Sequence, residues 1–202
     1  MNDSQLTRGF VLAIAGGLLI RLIWHHSQFR NNEQRKPGDR WALRIPAKPG
    51  EAGTLQTLTW MAYLVRRDAA DLKIREAANS IVRDCQGHDA RCEIEALFRF
   101  VRDEITFRRD PIDCERVQDA ERTLDFKAGD CDDKTVLLCT LLAAVGHKSI
   151  LSVLGNKPGH YSHVFAHLVT PQGLLALDPT NEAATVGWRG AARFMKHFKI
   201  FR

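Results

Sequence analysis

The feature that most constrains the fold of this 202-residue chain is a change of hydrophobic period at Gly146. Before it, Leu137, Leu138, Leu141, Leu142 and Val145 recur as one helical stripe, and Gly146 stands where a helix C-terminal cap favours glycine. After it the period falls to two. Ser149 to Leu154, Ser162 to Val169 and Gly173 to Asp178 are short β-prone runs separated by Gly, Pro and Asn turns. Upstream, Leu55, Leu58, Met61, Ala62 and Val65 predict one helix, and Ala70, Ile74, Ala77, Ala78, Ile81 and Val82 a second. A third runs from about Glu93 to Ile105, with Ile94, Leu97, Phe98 and Val101 on its apolar stripe and Arg99, Arg102 and Asp103 opposite. Asp110-Pro111 closes this helical region. Helices followed by an antiparallel meander make an α+β layout.

The length suits one principal domain with appendages. With 45% hydrophobic and 26% charged residues, the chain falls outside the disordered, collagen-like and polytopic membrane classes. The net charge of +5 is a mild bias, and nucleic acid is not an expected partner. Residues 9–24 are apolar apart from Arg21; as a helix they reach about 24 Å, against roughly 30 Å for a hydrocarbon core. Arg8 precedes the run, but no small-x-small cleavage site follows, so an uncleaved segment is expected. Residues 1–30 are therefore read as a helical anchor or assembly segment, buried in a membrane or against homo- or hetero-oligomeric partners. The excess of Arg and Lys after the run would leave the main domain on the cytoplasmic side of such a membrane. Residues 31–52, with Pro37, Pro46 and Pro49, read as a linker or arm. The main domain is expected over 53–187. Residues 188–202 form a basic aromatic tail, expected as a terminal helix with a solvated basic face.

Five cysteines at irregular spacing leave at least one thiol unpaired within the chain. Cys131 stands out because Asp130-Cys131-Asp132-Asp133 opens the leucine helix, placing its sulfur at the positive end of the helix dipole. The three aspartates oppose ionisation, so a histidine partner is required. His163 begins a strand whose alternate residues Val164, Ala166 and Leu168 look inward, leaving His163, Phe165 and His167 on the other face. With a two- or four-residue turn after it, position 163 pairs with 180, and Asp178 becomes its diagonal same-face neighbour; an odd-length loop would turn Asp178 away. A thiol, an imidazole and an orienting carboxylate are what nucleophilic attack on an amide or ester carbonyl needs, through a thioester, with the Cys131 N–H as oxyanion donor. Cys139, two turns further along the helix, reads as core. Cys85-x-x-His88-x-x-x-Cys92, with Cys114, reads as separate thiols, a Cys85–Cys92 or similar disulfide, or a metal site whose spacing fits no standard zinc module. No cofactor motif is present: Walker, Gly-x-Gly-x-x-Gly, His-Glu-x-x-His and EF-hand patterns are all missing.

The stretch from Glu93 to Thr180 resembles the bacterial and phage-encoded branch of the transglutaminase-like superfamily. The resemblance rests on Phe100-Val101-Arg102-Asp103-x-Ile105 with Asp110-Pro111, Thr123-Leu124, and Gly129-Asp130-Cys131-Asp132-Asp133 with its leucines. It continues through His163-Val164-Phe165 to Leu177-Asp178-Pro179-Thr180. It implies a papain-like core with Cys131 as nucleophile, His163 as base and Asp178 as orienter, and its spacing selects His163 over His167. It implies a cysteine hydrolase of peptide or related amide bonds, phage- or prophage-encoded, acting on a protein or peptide substrate. A protein-crosslinking acyltransferase, or a non-catalytic virion or membrane-complex component that keeps the fold, is the alternative. The chain departs from the pattern at Phe107, where many relatives carry tyrosine, and at Cys114, which has no counterpart.

Overall fold

The computed structural model describes residues 42–44, for which the backbone alone is given, together with 50–110 and 116–201. The expected apolar segment 1–30, its run 9–24, and Cys114 lie outside the described residues.

Among the described residues, five α-helices precede a four-stranded sheet. Helix α1 (Gly50–Asp68) buries Leu58, Met61, Ala62, Leu64 and Val65. Helix α2 (Leu72–Val82) starts where the Asp71 carboxylate accepts the Ile74 N–H, and α3 (Ala90–Glu104) where Asp89 accepts the N–H groups of Arg91 and Cys92; both are side-chain N-caps. Helix α4 (Ala120–Phe126), capped by Asp119, is one that the sequence pattern did not announce. Its seven residues are too few to show a stripe.

Helix α5 (Cys131–Ala144) is the centre of the molecule. The leucine stripe is only part of what it buries, because every residue from Asp132 to Leu142 is buried. The polar members of that run are satisfied: Lys134 Nζ donates to the Ile105 and Arg102 carbonyls, Thr135 Oγ1 to Val164 O, and Thr140 Oγ1 to Val136 O. Burial of these groups is tolerated because each finds an acceptor.

The sheet comprises β5 (Ser149–Gly155), β6 (His163–Thr170), β7 (Gly173–Leu177) and β8 (Phe194–Lys199), all antiparallel in the order β7-β6-β5-β8. Leu151, Val153, Val164, Ala166, Leu168 and Leu177 belong to the main core with the helices. Leu154, Phe165 and Ala176 form a smaller cluster with Ala192 packed on it. Two short pairs complete the fold: β1 (Ala42–Arg44) runs antiparallel to β3 (Arg116–Gln118), and β2 (Thr106–Phe107) parallel to β4 (Ala128–Gly129).

Three sequence expectations are corrected. The arm 31–52 contains strand β1, and α1 begins at Gly50, inside the range assigned to a linker. The tail 188–202 is not a terminal helix: Phe194–Lys199 is the edge strand β8, paired with β5 from Ile150↔Lys199 to Gly155↔Phe194. An edge strand with Lys196 and Lys199 exposed is protected from further pairing, which accounts for the basic composition. Third, Cys85 and Cys92 are joined in a disulfide with Cα atoms 5.6 Å apart, so the Cys85, His88, Cys92, Cys114 ligand set is broken. Beside it, His147 Nε2–H donates to Glu93 Oε2 at 2.8 Å and His88 lies 3.6 Å from the same carboxylate.

Candidate active site

The N-terminus of α5 is fixed by a reciprocal capping box. Asp130 Oδ1 accepts the Asp132 and Asp133 N–H groups, while Asp133 Oδ2 accepts the Asp130 N–H. Asp133 also ties the helix to β3, receiving the Gln118 N–H at 2.7 Å and the Gln118 side-chain amide at 2.5 Å. Gly129 is required by this packing: a Cβ there would stand 2.5 Å from Asp133 Cβ. Caps and the Lys134 N–H to Asp130 O bond satisfy the N–H groups of residues 132 to 134. The Cys131 N–H is left without a partner among the described residues, facing the end of the helix where its sulfur lies.

Cys131 is partly exposed on the wall of a pocket of about 380 Å³. Its thiol donates to Asp132 Oδ1 at 3.4 Å, and the Val164 N–H points at the sulfur. Burial, then the carboxylates of Asp132 and Asp130, push its pKa well above the ordinary thiol value. Asp130 is itself raised to about 7 by burial and by Asp133. Cys131 therefore rests as a protonated thiol.

His163 lies where the strand reading placed it. Strands β6 and β7 are joined by a two-residue turn with Thr170↔Gly173 as the last pair, so continuation of the register sets 163 opposite 180. His163 Nε2–H donates to Asp178 Oδ2 at 2.7 Å. Asp178 is 1% exposed, and its other oxygen accepts from the Thr180 N–H and hydroxyl. Burial alone would raise its pKa; the bonds from His163 and Thr180 outweigh that and hold it below the usual carboxylate range. An ionised carboxylate only accepts, so Nε2 carries a proton, and in the neutral form of the ring the lone pair is on Nδ1. Nδ1 has no partner among the described residues. The ring lies parallel to Phe165 at 6.2 Å, and His163 and Cys131 line the same pocket.

The rest of the pocket lining is one that sequence reasoning did not supply. Gly50, Gly53, Thr54 and Thr57 of α1 line it together with Asp130, Cys131 and Asp132 at the start of α5, and Gly159, Tyr161 and Ser162 lead into His163. The β5–β6 loop reaches this position through Gly155, where a Cβ would stand 2.0 Å from the His160 carbonyl oxygen. Lys196 of β8 pairs with Glu51 of α1. The available signal was two threonines beside the apolar stripe of α1. His167 lies apart from this pocket: it is buried, with Nδ1 2.6 Å from Ser152 Oγ, which also meets His197 Nδ1 at 2.8 Å. Burial, then His197 and Arg189, lower the His167 pKa to about 4. Cys139 is fully buried, its thiol pushed up to about 12. Phe107 pairs with Gly129 and is not among the pocket-lining residues.

Asp130, Cys131 and Asp132 bring donor atoms within 4.8 Å of one another. The set could hold a cation only by giving up the helix cap and the thiol bond.

A family model for the transglutaminase-like superfamily matches residues 75–179, slightly more than half the chain and inclusive of Cys131, His163 and Asp178. The chain belongs to the transglutaminase-like superfamily. Among solved structures, a candidate protease from Parabacteroides distasonis is similar with a TM-score of 0.50 at 13% identity, over 68% of this chain and 27% of that one. A candidate cysteine protease from Cytophaga hutchinsonii is similar at 13% identity, TM-score 0.41, over 62% and 49%. A TGase is similar at 11% identity, TM-score 0.40, over 85% and 41%. The Parabacteroides likeness supports the mixed fold of helices and antiparallel sheet. This transglutaminase-like chain spans half or less of the length of each of these structures. No curated protein matches it significantly.

Proposed function

We propose that this chain is a cysteine hydrolase of peptide or related amide bonds, with Cys131 as nucleophile, His163 as general base and Asp178 as the group that orients the imidazole. The observation that carries this reading is the His163–Asp178 bond, which leaves Nδ1 unpaired on the pocket that Cys131 lines.

Because the resting thiol is protonated, the reaction begins with proton transfer. His163 Nδ1 takes the Cys131 proton as sulfur attacks the carbonyl carbon, and Asp178 stabilises the imidazolium that forms. The carbonyl oxygen becomes an oxyanion and accepts from the Cys131 N–H. The imidazolium gives its proton to the leaving amine as the C–N bond breaks, leaving a thioester on Cys131. Water, deprotonated by Nδ1, attacks that thioester and releases the acid and the thiol.

The test is to incubate the full chain and a Cys131→Ala variant with a complex peptide mixture and read new termini by mass spectrometry. Cleavage dependent on Cys131 is expected. Identical digestion by the two proteins would sink the proposal.

A further inference from the structure

We infer that the Thr57 hydroxyl is the second donor to the oxyanion, opposite the Cys131 N–H. This rests on the reading of Cys131 as nucleophile and adds a catalytic group from a different helix. Thr54, Thr57, Leu58 and Met61 occupy one face of α1 at i, i+3, i+4 and i+7, and all four line the pocket that Cys131 lines. Threonines in helices commonly spend their hydroxyl on the carbonyl four residues back. Thr54, Thr59, Thr123 and Thr140 do so here, and Thr135 bonds to Val164 O. Thr57 makes neither bond: it is partly exposed, lines the pocket, and its hydroxyl has no partner among the described residues. The Cys131 N–H is unspent in the same way, because the capping box consumes its neighbours.

Chain position separates Thr57 from the other unpaired hydroxyls of the lining: Tyr161 and Ser162 immediately precede His163, whereas Thr57 belongs to α1, a lining element that carries neither Cys131 nor His163. The imidazole must reach the leaving group, so the carbonyl oxygen of a substrate attacked by sulfur points away from the imidazole, and we assign it to the α1 part of the lining. There the hydroxyl donates a hydrogen bond that strengthens as charge develops on oxygen.

Two small reagents isolate the step without knowledge of the natural substrate. p-Nitrophenyl acetate acylates a thiol through an oxyanion: the S–C bond forms, the thiol proton passes to His163, and p-nitrophenolate leaves. Iodoacetamide alkylates the same sulfur by displacement of iodide, with no oxyanion. Both rates at Cys131 are measured for wild type, Thr57→Val, Thr57→Ser and Tyr161→Phe. The acylation-to-alkylation ratio should fall about 10²-fold in Thr57→Val and recover in Thr57→Ser. An unchanged ratio in Thr57→Val, or a loss confined to Tyr161→Phe, overturns the assignment of Thr57 alone. A wild-type chain that alkylates at Cys131 yet never acylates there overturns the nucleophile reading and this inference with it.

Discussion

Asp178 meets His163 across a strand diagonal, its buried oxygen 2.7 Å from Nε2, and this contact leaves Nδ1 as the ring nitrogen without a partner among the described residues. Asp178→Asn keeps the volume but offers an amide that can donate to Nε2, so the other tautomer places the proton on Nδ1, where the lone pair is needed. Acylation of Cys131 by p-nitrophenyl acetate should slow by about 10²- to 10⁴-fold, while far-UV circular dichroism is unchanged. A variant as fast as wild type would remove Asp178 from the mechanism.

Asp132 helps to keep the Cys131 thiol protonated. Burial is the largest cause of the raised Cys131 pKa, and the Asp132 charge is the next. Asp132→Asn removes that charge, favours thiolate, and should move the pH midpoint of iodoacetamide alkylation downward. A midpoint that stays or rises contradicts the assigned electrostatics.

Acid should weaken the fold through His167. Its folded pKa of about 4 lies below the unfolded value of about 6.5, so the unfolded chain binds more protons between these limits. Stability therefore falls as pH drops through that window, by roughly 3 kcal/mol at most, and this contribution levels off below it. The depressed Asp178 adds stability that is present above an unfolded pKa of about 3.9 and lost below it. Urea unfolding of wild type and His167→Gln at pH 7 and pH 5 checks the larger effect. The pH dependence should be shallower in the variant.

The Cys85–Cys92 bond closes a short loop between α2 and α3. Replacing both cysteines with serine should cost about 2–3 kcal/mol, by loop-closure entropy in the unfolded chain. Denaturant midpoints of the double variant, and of wild type with and without reductant, measure this. Equal midpoints would mean that the loop is held by Glu93 and His147 instead.

The parts legible in the sequence were those whose periodicity is set by local burial. The stripes of α1, α2 and α3 each follow from one face meeting the core, and β5 to β7 were legible from their β-prone runs and turns although β5 and β6 are buried on both faces. The two-residue turn was among the spacings that bring Asp178 to His163. The tail was misread because β8 is an edge strand whose apolar residues, Phe194, Met195 and Phe198, follow neither helical nor strand period cleanly. Helix α5 carried a stripe in sequence but is buried on all sides, since Lys134 and Thr135 find acceptors on α3, the residue following it and β6 that no local pattern reveals. The α1 wall of the pocket was equally illegible: Thr57 and Cys131 are 74 positions apart, and only the packing of α1 against α5 unites them.

The most direct test of a Cys131 nucleophile served by His163 is to trap the acyl-enzyme. Full-length protein is mixed with p-nitrophenyl acetate, quenched in acid and mapped by peptide mass spectrometry, beside Cys131→Ala and His163→Ala. The expected result is an acetyl thioester on Cys131 that forms rapidly in wild type, is missing from Cys131→Ala, and forms at least about 10²-fold more slowly in His163→Ala. Acetylation elsewhere with Cys131 untouched, or an equal rate in His163→Ala, would contradict the mechanism.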